Sequence, residues 1–251
     1  MTQHLYIITG ASRGLGLAMA EQLLSSTHFV LCISRNINEA LAAHAAQLGA
    51  QLKQWPLNLE DSVEAGARLM QWLGHHTPAS FASATLINNA GVMPRVAPLS
   101  ASDPIDLSRA LRVGLEAPLL LTAAFLQATE AWEIPRKVLN ISSGLGRRAL
   151  ASQAGYCAAK AGMDHFTRCV ALDEALKPHG AKVCSLAPGV IDTDMQQQLR
   201  HTDASAFPDQ TTFVELKLKG LLNSPADAAR QVLAYLARAD FGRNPIGDVR
   251  D

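Results

Sequence analysis

Short apolar runs alternate with helix-length segments along most of the chain. Residues 5–8, 29–33, 51–55, 84–87, 137–141 and 182–186 read as strands. Their positions are almost continuously apolar, as in strands covered on both faces. Between them, residues 14–26, 38–48, 62–73, 106–131 and 155–176 read as helices. In the first of these, Leu15, Ala18, Met19, Gln22 and Leu23 recur at helical spacing. Pro118 falls inside the 106–131 segment and is expected to kink or interrupt it. A late helix over 225–237 has Ser224 as its N-cap and Pro225 at its first position. Strand alternating with helix implies parallel strands joined by right-handed crossovers, hence an α/β, doubly wound fold. No internal repeat or low-complexity linker divides the chain, so one domain over 1–251 is expected. The exception to the pattern is 192–223, a polar stretch with Gln196-Gln197-Gln198 and Thr211-Thr212. A segment of this kind reads as a lid over a site.

Composition narrows the function. Of 251 residues, 48% are hydrophobic and 18% charged, enough for a large core; only 5% are aromatic, so aliphatic residues and Ala must fill it. Lys and Arg balance Asp and Glu at 22 each, so there is no basic footprint for nucleic acid. No apolar run approaches the roughly 18 residues of a membrane helix. No charged-then-apolar leader pattern opens the chain. The expectation is therefore a cytoplasmic protein with neither a nucleic-acid nor a membrane partner. The four cysteines form no C-x-x-C pair, and the eight histidines are scattered, so no metal is expected.

The first strand runs into Thr9-Gly10-Ala11-Ser12-Arg13-Gly14-Leu15-Gly16. Gly10 permits the tight turn out of the strand. Gly14 and Gly16 let the backbone approach a pyrophosphate and let the helix pack on the sheet. With Ser12, Arg13 and Leu15 these glycines form the expected cradle, closed by the positive end of the helix. At the end of the second strand an acidic residue would bind a ribose 2′-hydroxyl. The chain has Ser34-Arg35-Asn36 there instead, with Arg13 in the loop nearby. Two guanidinium groups favour a 2′-phosphate, so the expected cofactor is NADP(H), with Arg35 and Asn36 among its contacts.

Tyr156 and Lys160 lie four residues apart on a predicted helix and so share a face. The fifth strand ends at Asn140-Ile141-Ser142-Ser143, at the sheet edge where open α/β folds bind ligands. This set fits carbonyl reduction. A free Tyr titrates near ~10; an ammonium about 4 Å away, at an effective dielectric of about 20, is worth roughly 4 kcal/mol. Tyr156 is therefore the expected general acid, Lys160 the group that lowers its pKa, and Ser143 the residue that polarises the carbonyl. Cys157 points about 100° away from Tyr156 and reads as packing.

These motifs, with Asn88-Asn89-Ala90-Gly91 and Pro188-Gly189, occur in the order found in the short-chain dehydrogenase/reductase family, which the chain resembles over nearly its whole length. The resemblance implies a single Rossmann-like domain with a mostly parallel seven-stranded sheet flanked by helices. It implies that Asn89, Ala90 and Gly91 line the cofactor and steady the sheet. Pro188, Gly189, Ile191, Thr193 and Met195 would cover the nicotinamide, and Asn58 and Leu59 would lie near the adenine. Residues 188–196, the pattern Phe213-x-Glu215-Leu216-Lys217-x-Lys219-Gly220, and the chain end resemble the sepiapterin reductase and benzil reductase branch. That likeness implies a small carbonyl substrate, either a vicinal dicarbonyl or a pterin side chain, held by Ser143, Gly144, Gly189 and Asp248. It also implies a homodimer or homotetramer built through 106–131 and 155–176. One position departs from the family pattern. Where it usually has a catalytic Asn, the chain has Gly114, within Val113-Gly114-Leu115-Glu116-Ala117-Pro118. The alternative expectation is thus a catalytically weak, NADP(H)-binding regulatory protein.

Overall fold

A computed structural model of the protein describes residues 3–251. Its sheet comprises β1 (Gln3–Thr9), β2 (His28–Ser34), β3 (Gln51–Pro56), β4 (Phe81–Asn88), β5 (Arg136–Ile141), β6 (Lys182–Ala187) and β7 (Ile246–Asp248). The order is β3-β2-β1-β4-β5-β6-β7, and every neighbouring pair is parallel. The order reverses between β1 and β4, which opens a crevice at the carboxyl ends of those strands.

Alternate side chains of each strand feed two cores. Ile8 and Val30 face α1 (Gly14–Leu23) and α9 (Pro225–Ala237) on one side. Leu5, Ile7 and Leu86 face α3 (Ser62–Gly74) and α5 (Ala117–Ala128) on the other. On the first side α2 (Glu39–Gln47) adds Leu41 and Ala45. Ser224 caps α9 as the sequence predicts, its hydroxyl accepting from the Asp227 amide at 3.0 Å.

The predicted 106–131 helix is in three pieces. α4 (Pro104–Leu111) begins two residues earlier, because Asp103 caps it by accepting from the Ile105 amide. A wide turn over Arg112–Glu116 follows, in which the Ala117 amide reaches back five residues to the Arg112 carbonyl. The reason lies at Pro118, in the first turn of α5: it has no N–H to give to the carbonyl of Gly114 four residues back. The continuous stretch Pro104–Ala128 is long and apolar enough to cross a membrane by length and composition alone. This differs from the sequence expectation, but half of it is buried, with Ala117, Leu121 and Phe125 packed in the core beside α3.

A buried amide chain ties the centre of the sheet to its flanking helices. Asn88 on β4 donates through Nδ2 to Thr122 of α5 at 3.1 Å and to Asn140 of β5 at 2.8 Å. Asn140 donates in turn to Thr167 of α6 (Ala154–Ala175) at 2.8 Å. Every link lies in the dry interior, where an unpaired amide would be costly.

The polar 192–223 segment folds into α7 (Asp194–His201) and α8 (Gln210–Leu218). Neither helix is predicted from the sequence. They enclose a small apolar cluster of Leu199, Phe207 and Phe213, which also takes Val96 from the loop after β4. The two ends of the segment are stitched together: the Asp192 amide donates to the Asn223 carbonyl and the Asn223 amide to the Val190 carbonyl, both at 2.9 Å.

Candidate active site

The carboxyl ends of the strands open into a cavity of about 790 Å³. Its floor begins at the glycine loop. Gly10 and Gly14 hold φ of 68° and 58°, in the left-handed region that favours glycine. At Gly16 a Cβ would stand 2.3 Å from the Gly10 carbonyl oxygen, so the helix start lies directly on the turn. Asn89 braces the loop by donating through Nδ2 to the Thr9 carbonyl at 2.9 Å, while the Thr9 hydroxyl accepts from the amides of Asn89 and Ala90 at 2.9 Å each. α1 has no side-chain cap, so its first amides are free to receive an anion. Two further observations fit a nucleotide phosphate here. Ser34 Oγ lines the cavity, is buried, and has no partner. Arg13 and Arg35 stand at the same end, with Arg13 Nη1 2.7 Å from Asp194 of α7.

The cavity collects Gly10, Ser12, Arg13, Gly14, Leu15, Gly16, Arg35, Asn58, Leu59, Asn89, Ala90 and Gly91 at this end. Toward the lid it collects Pro188, Gly189, Ile191, Thr193 and Met195. Asn36 is exposed and is not among the lining residues. Two residues on, Asn38 is taken up capping α2, where its Oδ1 accepts from the Leu41 amide.

Ser143, Gly144, Tyr156 and Lys160 line the other end. Ser143 follows β5, and its Oγ accepts from the Leu145 amide at 3.1 Å. Tyr156 and Lys160 lie one turn apart on α6, with Lys160 Nζ 5.8 Å from the centre of the Tyr156 ring. Lys160 is nearly fully buried and donates to the Ile141 carbonyl at 2.7 Å. Burial pushes the Tyr156 hydroxyl up to about 12, with Ser143 drawing it partly down. Burial brings the Lys160 ammonium down to about 8, against the pull of Asp164. Desolvation sets the direction of the Tyr156 shift in this arrangement, in which Lys160 is turned toward Ile141. At Gly114, a Cβ would stand 3.2 Å from Ala159 Cβ of α6. The wide turn thus runs so close to α6 that a larger residue would press on it.

Asp248, the expected substrate contact, is 8% exposed and is not among the lining residues. It accepts from Arg250 Nε at 2.7 Å and Nη2 at 2.6 Å, and this pairing holds it below the usual carboxylate range. Arg250 faces the cavity in its place, as does Arg148. The spacing of Asp248 and Arg250, two residues apart on a strand exit, is the signal that could have found this pair. Sequence reasoning also missed Ser34, Val113 and Ser142. Gln196, within the predicted lid, contributes a buried Oε1 with no partner.

Comparison with known proteins gives a consistent result. The family model described as short chain dehydrogenase matches residues 4–204. The chain is 35% identical to a benzil reductase ((S)-benzoin forming) of Bacillus cereus, covering 97% of this chain and 96% of that one. It is 33% identical to a sepiapterin reductase of Bos taurus, covering 94% and 91%. Among solved structures, a putative 2-deoxy-D-gluconate 3-dehydrogenase from Agrobacterium tumefaciens with bound NADP superposes with a TM-score of 0.80 at 26% identity, covering 99% of this chain and 95% of that one.

Proposed function

The chain belongs to the short-chain dehydrogenase family, and from that premise we propose that it is an NADPH-dependent carbonyl reductase acting on a vicinal dicarbonyl or a sepiapterin-like side chain. The observation that carries this reading is the gathering of Ser143, Tyr156 and Lys160 in a single cavity with the glycine loop. Gly10, Gly14, Gly16 and the free amides of α1 would hold the pyrophosphate, and Arg13, Arg35 and Ser34 the 2′-phosphate side. Bound there, the cofactor supplies the hydride. The chain's own groups handle the oxygen. Ser143 Oγ donates to the substrate carbonyl and orients it. The Tyr156 hydroxyl is held protonated by its buried setting, and it gives its proton to the oxygen as negative charge develops there. Lys160 offers a cation that favours the resulting tyrosinate, and it would hold the ribose hydroxyls of the bound cofactor. Met195, Leu199 and Phe213 of the lid exclude water from the substrate end. The relatives named for benzil and sepiapterin reduction support the dicarbonyl and pterin choice. The reading carries with it a cytoplasmic homo-oligomer joined through α4, α5 and α6.

Gly114 favours a second reading, in which the protein binds NADP(H) as a regulator and turns over slowly. One assay separates the two. NADPH absorbance is followed against benzil, diacetyl-type diketones and sepiapterin, with NADH in parallel. Turnover with NADPH that falls at least about 100-fold in Tyr156→Phe is expected. Tight NADPH binding without turnover on any of these carbonyls would transfer the case to the regulatory reading.

A further inference from the structure

Asp164 lies one helical turn beyond Lys160 on α6 and is almost wholly buried, at 1% exposure. Nothing in the reaction as derived uses it, yet it is among the most heavily bonded side chains in the protein. Its Oδ1 accepts from Ser142 at 2.5 Å and from Ser185 of β6 at 2.6 Å. Its Oδ2 accepts from Arg147 Nε at 3.2 Å. Arg147 also donates through Nη2 to the Gly247 carbonyl of β7 at 2.7 Å. The loop between is pressed onto the helix at this point: a Cβ on Gly146 would stand 2.9 Å from the Lys160 carbonyl oxygen and 3.0 Å from Asp164 Oδ2.

Two consecutive turns of α6 thus grip two consecutive residues of one strand end. Lys160 takes the Ile141 carbonyl and Asp164 takes the Ser142 hydroxyl. The next residue is Ser143. We propose that Asp164 is a positioning residue for the reaction: it locks the strand end that carries Ser143 to the helix that carries Tyr156 and Lys160, and it supplies the negative charge that keeps Lys160 an ammonium. This rests on the reading of Tyr156 and Lys160 as the proton-handling pair.

The charges around it have opposite effects on Lys160. Asp164 favours the ammonium; Arg147, from the loop after β5, partly neutralises Asp164. From β6 the Cys184 thiol faces the cluster but stays neutral, pushed up to about 11 by burial, and Tyr235 of α9 bonds to that thiol. Asp248 of β7 feels Arg147 but is held by Arg250. From α6 itself, Tyr156 is the other titrating neighbour. Removing Asp164 therefore weakens Lys160 as a cation, and removing Arg147 strengthens it.

The experiment is a pH profile of NADPH-dependent benzil reduction for the wild type, Asp164→Asn, Arg147→Gln and Tyr156→Phe. Wild-type turnover that disappears in Tyr156→Phe upholds the underlying reading. In Asp164→Asn the alkaline limb is expected to move to lower pH by about half a unit or more, with kcat down about tenfold and the KM for NADPH within about threefold. In Arg147→Gln the limb is expected to move to higher pH. A merely structural role would not send the two variants in opposite directions. Limbs that stay in place, or shift together, would overturn the proposal. If Asp164→Asn does not fold, Arg147→Gln decides alone, since Arg147 is one-third exposed: an upward shift supports the proposal and an unmoved limb overturns it. If no carbonyl is turned over, the reduction reading fails by itself. A lysine-selective NMR titration, with the Lys160 signal assigned through Lys160→Met, then reads the same opposed shifts without turnover.

Discussion

A single methyl group at Gly16 has nowhere to go. It would stand 2.3 Å from the Gly10 carbonyl oxygen and 2.4 Å from Asn89 Nδ2, both parts of the brace that shapes the phosphate loop. Gly16→Ala is expected to lower NADPH affinity at least about tenfold and to destabilise the fold by about 1–3 kcal/mol; fluorescence titration and thermal melting check the two effects separately. A variant that binds NADPH normally would show that the loop relaxes without loss. At this scale the site was largely legible, because Gly10, Gly14, Gly16, Tyr156 and Lys160 announce themselves by spacing next to predicted elements. Asp248 and Asn36 show the limit. Spacing says which residues lie near a site, but not which way a side chain turns, and Arg250 had claimed the Asp248 carboxylate. Nor does a Tyr-to-Lys spacing contain burial, a three-dimensional quantity that sets the direction of the Tyr156 pKa here.

Among the elements, the amide chain through Asn88 and Asn140 is the most exposed to a single change. Asn140→Ala removes the bonds to both Asn88 and Thr167, so each of these buried side chains loses one of its partners while keeping another, Thr122 for Asn88 and the Met163 carbonyl for Thr167. A loss of about 1–3 kcal/mol is expected, seen as a fall of several degrees in Tm; an unchanged Tm would mean that water replaces the amide. β1 to β6 and their crossover helices stand within a few residues of where the apolar runs put them, since continuous burial on both faces leaves a strong mark in sequence. β7 left none, being only the three residues Ile246–Asp248. α7 and α8 were hidden by polarity, for α7 buries only Gln196 and Leu199, and α8 only Phe213. The wide turn at Gly114 was half legible: Pro118 predicts a break but not its form.

At the scale of the whole molecule, the proposed preference for NADPH rests on two arginines that both line the cavity, Arg13 before α1 and Arg35 after β2. Arg13 also reaches the lid through Asp194 at 2.7 Å. The double variant Arg13→Ala, Arg35→Ser is expected to raise the KM for NADPH about tenfold or more while leaving that for NADH within about twofold. Steady-state kinetics with both cofactors check this, and an equal rise for the two would remove the 2′-phosphate from the account. The stitch between Val190–Asp192 and Asn223 has a broader consequence. The 192–223 segment leaves the scaffold after β6 and rejoins it before α9 at adjacent points, and its apolar centre of Leu199, Phe207 and Phe213 is largely its own. Insertions, deletions and wholesale exchange between those two points leave the crossovers of the sheet untouched. The segment is therefore free to diverge faster than the scaffold beneath it, so one inherited hydride-transfer frame can be refitted to new carbonyl compounds by evolution acting on some thirty residues at one address.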